Sequence, residues 1–182
     1  MKVRENLEII IATHAFAESL NKRLLEDVKK LEVYKNPLHK TNICAEKYAI
    51  KPDEVTASIR TIKDWVASLL VIEYPVIMGV EEECEGDFNI GVWFAKYGIG
   101  DHTISHCHHP YGVYGFVYFV NSPKGSSPLV FTTSGKRIKA EAGKVVIFPG
   151  SLVHHVPKNN GDGRVIFAGN LAIRRNESTR LH

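Results

Sequence analysis

From 15 to 31 the chain repeats apolar residues every three or four positions: Phe16, Leu20, Leu24, Val28 and Leu31, with Lys, Arg, Glu and Asp between them. That spacing predicts one amphipathic helix over 15–30. A loop holding Asn36-Pro37 and Thr41-Asn42 follows. A second stripe, Val55, Ile59, Ile62, Val66 and Leu69, predicts another helix. Pro52 sits at its first turn, and Asp53 and Glu54 favour the positive end of its dipole. After about Tyr74 the period shortens. FNIGVWFAKY (88–97), GVYGFVYFV (112–120), PLVF (128–131), KVVIF (144–148) and RVIFAGNLAI (164–173) are rich in Val, Ile, Phe and Tyr, and clusters of Gly, Asn, Ser and Pro separate them. Many short strands at this spacing predict a sandwich or barrel. The expected fold class is α+β: a β-sandwich buttressed by two N-terminal helices.

At 182 residues the chain suits a single domain over 1–182, with 1–85 as mainly helical support and 86–175 as the β core. No composition shift divides it. The formal charge is +3, and the basic residues are scattered among acidic ones. That excludes a basic block of the kind that binds nucleic acid or a membrane surface. No apolar run approaches the roughly 18 residues of a membrane span, and MKVRENLEIIIATH lacks the features of a signal peptide. Cys44, Cys84 and Cys107 are odd in number and far apart, so no disulfide framework is expected, and a reducing cytoplasm is the expected compartment.

Within this ordinary composition, SHCHHPY (105–111) holds three of nine histidines. If 103–108 is extended, His106 and His108 share one face, while Cys107 and His109 share the other. A structural zinc site using Cys107 would need the strand to break. His106 and His108 can chelate one ion from inside a barrel. A third ligand is available at FPGSLVHHV (148–156), where His154 and His155 alternate so that one faces inward. Two His on one strand and one on a neighbour make a facial three-ligand site with open positions. The same residues could instead be surface histidines. His14, His39, His102 and His182 are isolated and read as surface or capping residues. Arg164 heads the apolar strand RVIFAG, either as a solvated strand end or as a buried fork for a carboxylate.

Over 88–173 the chain resembles the Fe(II)- and 2-oxoglutarate-dependent oxygenases, in particular their prolyl-hydroxylase-like branch. His106-Cys-His108 stands where that family has its H-x-D/E motif. GFVYFVN (115–121) is similar to its next strand, and GKVVIFPGSLVHHV (143–156) to the strand carrying its distal His. The resemblance implies a double-stranded β-helix (a cupin-like jelly roll) with Fe(II) on His106, His108 and His154, which selects His154 over His155. It implies 2-oxoglutarate as co-substrate, its distal carboxylate on Arg164 and with Tyr97 and Tyr118 among its contacts. The implied reaction is oxidative decarboxylation of 2-oxoglutarate to succinate and CO2, coupled to hydroxylation of a protein side chain or a small molecule. Loops 98–104 and 121–128 are expected to border the mouth.

His108 departs from this pattern, since the family has Asp or Glu there. Cupins use H-x-H and a later His, and Gly100, His106, His108, Pro149 and His154 also fit their spacing. Gly112 and Val113 stand where a cupin has Glu. A three-His cupin-type dioxygenase and a non-catalytic metal-binding jelly roll are therefore the alternatives. With unperturbed imidazoles, such a site would lose its metal as pH falls from about 7 towards 5.

Overall fold

The protein, seen in a computed structural model, is described over residues 8–33, 42–73, 87–108 and 113–174. The expected His109 position, Cys84, His39 and His182 lie outside these residues.

The strands are β1 (Ile10–Thr13), β2 (Ile43–Cys44), β3 (Glu46–Ala49), β4 (Asp87–Tyr97), β5 (His102–His106), β6 (Tyr114–Asn121), β7 (Leu129–Phe131), β8 (Arg137–Ile138), β9 (Lys144–Pro149), β10 (His154–Val156) and β11 (Arg164–Arg174). They form two antiparallel sheets. One runs β1-β9-β6-β11-β4-β3 and the other β2-β5-β10-β7-β8. Strands from both ends of the chain thus interleave within each sheet, as a jelly roll requires.

Burial on both faces explains the near-continuous apolar runs. Along β6, Tyr114, Phe116, Tyr118 and Val120 pack outward with the helices, while Val117 and Phe119 pack inward between the sheets. A strand covered on both faces loses the apolar–polar alternation of a half-exposed one.

The helices are α1 (Ala17–Val28) and α2 (Ala57–Glu73). Leu20, Leu24, Ile59, Ile62, Val66 and Leu70 are fully buried against the outer face of the six-stranded sheet. Phe16 falls before the first turn of α1 and is 74% exposed. Pro52–Glu54 forms a separate 3-10 turn. Helix α2 starts later because Thr56 Oγ1 accepts from the Ile59 amide, supplying an N-cap. Asp27, at the end of α1, accepts from the Thr56 and Ser58 hydroxyls and ties the two helices together.

The first 85 residues also contribute β1, β2 and β3, which the periodicity did not predict. They are two to four residues long, too short to show a period, and are held as strands by β9, β5 and β4. No described helix is long and apolar enough to cross a membrane.

Candidate metal centre

The inner faces of the two sheets enclose a narrow cleft of about 40 Å3, lined by residues including Tyr97, Thr103, His106, His108, Phe148, His154 and Ile166. His106 and His154 lie directly opposite each other on β5 and β10, and their ring centroids are 4.4 Å apart. Strand β5 ends at His106. The chain is still held beyond it, because the His108 amide donates to the Gly150 carbonyl at 2.7 Å. His108 Nε2 therefore reaches to 3.3 Å from His154 Nε2. One nitrogen from each of His106, His108 and His154 lies within 4.8 Å of the other two.

Backbone carbonyls select the tautomers. His106 Nδ1 is 2.8 Å from the Ile104 carbonyl, and His154 Nδ1 is 2.9 Å from that of Leu152. A carbonyl only accepts, so each Nδ1 carries the proton and donates it, and each Nε2 keeps its lone pair for an ion. His155 turns the other way and pairs with the Thr132 hydroxyl at 2.9 Å. Cys107 is exposed and free, as is Cys44. His14 lies apart from the cluster, and its Nδ1 accepts from the Phe16 amide just before α1.

Gly115 is a site residue that sequence reasoning missed. A Cβ there would lie 3.2 Å from the His108 ring and 3.0 Å from Phe148. The missing side chain leaves the space His108 occupies. Nothing in the sequence marked this glycine, because the crowding comes from Phe148 and His108, which belong to two other segments of the chain.

Burial drives all three histidines towards the neutral form. His154 falls to about 3 and His108 to about 4, with desolvation the main cause and the neighbouring imidazoles adding to it. His106 is also lowered, again chiefly by desolvation. Neutral imidazoles, with the Nε2 lone pairs of His106 and His154 left free, suit a divalent transition metal. These shifts set a pH window for the metal-free protein. Below pH 6.5 the unfolded chain takes up protons at these histidines, while in the folded one His108 resists until about 4 and His154 until about 3, with His106 lowered in the same direction. Stability should therefore fall as pH drops from about 6.5 to about 4. Melting curves of metal-free protein at pH 7, 6, 5 and 4 measure this, and a constant Tm would contradict it. Proton competition for the metal likewise starts lower than for unperturbed imidazoles.

Opposite Tyr97, which lines the cleft, sits Arg164, fully buried. Its guanidinium carbon is 4.3 Å from the Tyr97 ring centroid and 5.7 Å from that of Phe119. Among the described residues, none of its three nitrogens has a hydrogen-bond partner. Burial pulls its pKa down, and the adjacent Tyr97 opposes that pull. Tyr97 is itself 1% exposed and shares a 2.7 Å hydrogen bond with Thr103. Arg164 is thus not a solvated strand end.

Two expectations need correction. Tyr118 does not face the cleft. It lies on the outer face of β6, where its hydroxyl donates to Asn21 Oδ1 on α1 at 2.7 Å. Its position differs from that of Val117 and Phe119 by one residue, and alternation sends it to the opposite face. The loops at 98–104 and 121–128 also do not border the mouth. They lie at the Arg164 end, where Asn159 joins them through its backbone to Gly100 and Asp101 and through its side chain to the Ser127 amide. The cleft opens at the other end, by Trp93, His106 and His108, which are partly exposed.

No family profile and no curated protein matches this sequence. Solved structures do. A Pseudomonas putida prolyl-4-hydroxylase is similar at 19% identity, covering 93% of this chain and 94% of its own, with a TM-score of 0.67. The viral collagen prolyl hydroxylase vCPH from Paramecium Bursaria Chlorella virus-1, in its 2-oxoglutarate complex, is similar at 16% identity, over 90% and 94%, with a TM-score of 0.66. HygX from Streptomyces hygroscopicus, with nickel and 2-oxoglutarate bound, is similar at 9% identity, over 91% and 83%, with a TM-score of 0.60. The chain therefore has the double-stranded β-helix fold of the 2-oxoglutarate–Fe(II) oxygenases.

Proposed function

We propose that this protein is an Fe(II)- and 2-oxoglutarate-dependent dioxygenase acting on a protein side chain or a small molecule. The observation that carries this reading is Arg164: a fully buried guanidinium with no hydrogen bond among the described residues, stacked on Tyr97, which lines the same cleft as the three convergent imidazoles. Leaving such a group unpaired is costly, so its position implies a ligand with a carboxylate. His106, His108 and His154 would hold the iron, and Arg164 would bind the distal carboxylate, with Tyr97 holding the guanidinium in place. When bound, the iron and 2-oxoglutarate together supply the oxidising chemistry. The chain's own part is to orient both ligands and exclude water.

The fold relatives support both substrate classes, since one is a collagen prolyl hydroxylase and HygX is known with hygromycin B bound. We read the whole chain as one domain. The free thiols at Cys44 and Cys107 fit a reducing cytoplasm.

The test is turnover. Iron-loaded protein supplied with 2-oxoglutarate and O2 should consume the keto acid and release succinate, faster once a substrate is found. One observation favours a second reading. His108 stands where a carboxylate ligand is expected, which suits a three-His dioxygenase that uses O2 without 2-oxoglutarate. Oxygen uptake that does not change with 2-oxoglutarate would favour it.

A further inference from the structure

We propose that the open end of the cleft is an anion subsite built from Lys47 and Trp93, so the substrate is held by a carboxylate. The inference rests on the reading of this cleft as the reaction site.

Lys47 is on β3, directly opposite Ala95 on β4, and Ala95 packs inside the barrel. Alternation therefore puts the Lys47 side chain on the cleft side of the sheet, while its neighbour Tyr48 packs outward. Its ammonium stands 4.6 Å from the Trp93 ring centroid, and its charge acts on both His106 and His108. Lys47 has no carboxylate partner among the described residues, whereas the adjacent Glu46 is paired with Lys96. Trp93 lines the cleft, and its indole N–H is buried without an acceptor. A cation without a carboxylate partner thus stands beside an indole whose N–H has no acceptor among the described residues.

Charge balance points the same way. Among the described residues, no Asp or Glu lines the cleft. A divalent ion on three neutral imidazoles keeps both its charges, where a carboxylate ligand would cancel one. Arg164 and Lys47 add further positive charge on the inner side of the sheet. A dicarboxylate at Arg164 offsets only part of this field, and a neutral or cationic substrate would leave the rest uncompensated. Lysine at the rim, as a point charge on a flexible stem, suits an anion that arrives in varied orientations, whereas the planar fork of Arg164 suits one fixed carboxylate.

The probes are N-acetylated amino acids and tripeptides with a free C-terminus, each compared with its carboxamide. Binding is read from the indole N–H resonance of Trp93, assigned by Trp93→Phe, with 2-oxoglutarate and Zn(II) present in excess. Each acid that binds should do so at least about tenfold tighter than its amide. Lys47→Gln should bring that ratio to about one, and Lys47→Arg should keep most of it. Binding by the monomers assigns a free small acid, and binding by the tripeptides alone assigns a peptide terminus. Equal binding of acid and amide to the wild type, a preference that survives Lys47→Gln, or no binding by any acid would overturn the proposal. A separate 2-oxoglutarate titration keeps the two readings apart. If that titration fails while the acid preference holds, the dioxygenase reading falls and the subsite stands. The converse result removes the subsite alone.

Discussion

Arg164→Ala is expected to weaken 2-oxoglutarate binding by roughly 30-fold to several thousand-fold. Losing one partner of a desolvated charge pair typically costs about 2–5 kcal/mol, because the other charge stays buried and unpaired. Arg164 meets the condition, being fully buried with all three nitrogens unpaired. Arg164→Lys should recover only part of the loss, since an ammonium lacks the planar fork. Metal affinity should hardly change, as Arg164 is not among the clustered ligand residues. Without ligand the sign reverses. An unpaired buried cation destabilises the fold, so Arg164→Met, which keeps much of the volume, should leave the Tm of ligand-free protein unchanged or raise it. A structural arginine would show the opposite. Anaerobic calorimetry on iron-loaded protein, with melting curves of the ligand-free variants, tests both halves. Equal 2-oxoglutarate binding by wild type and Arg164→Ala would move the carboxylate anchor elsewhere.

The second large effect is on the metal. His106→Ala, His108→Ala and His154→Ala should each abolish binding of one equivalent of Fe(II), a larger loss than the roughly 10–100-fold that follows removal of an outer-shell partner. His155→Ala should retain the metal, because that ring turns outward to Thr132. His109→Ala should also retain it. Metal analysis of the five purified variants decides the point. Iron lost in the His155 variant and kept in the His154 variant would overturn the assignment. The His154 change leaves a void beside Phe148, whose ring centroid is 4.6 Å from that of His154, so its Tm must be recorded alongside.

Much of this protein was legible from local pattern. The stripes of α1 and α2 could be read because an amphipathic helix repeats its burial every 3.6 residues. The long strands β4, β6, β9 and β11 could be read because their β-branched and aromatic runs are bounded by turn residues. Alternation alone put His106 and His108 on one side and Cys107 on the other. The short strands β1, β2 and β3 carry no period of their own and exist only through their partners.

The sequence by itself therefore determined the element types, the fold class and the cluster of histidines, since these depend on spacings within one segment. Tertiary structure decided what depends on segments meeting. Pairing of β5 with β10 brings His106 to His154, and the Gly150 carbonyl holds His108 beside them. Register puts Tyr118 on the helices and Tyr97 under Arg164. Gly115 makes room for His108, and β3, invisible as a pattern, brings Lys47 to the rim. Each of these contacts joins residues from different segments of the chain, and no periodicity within a single segment can encode which partner it will meet.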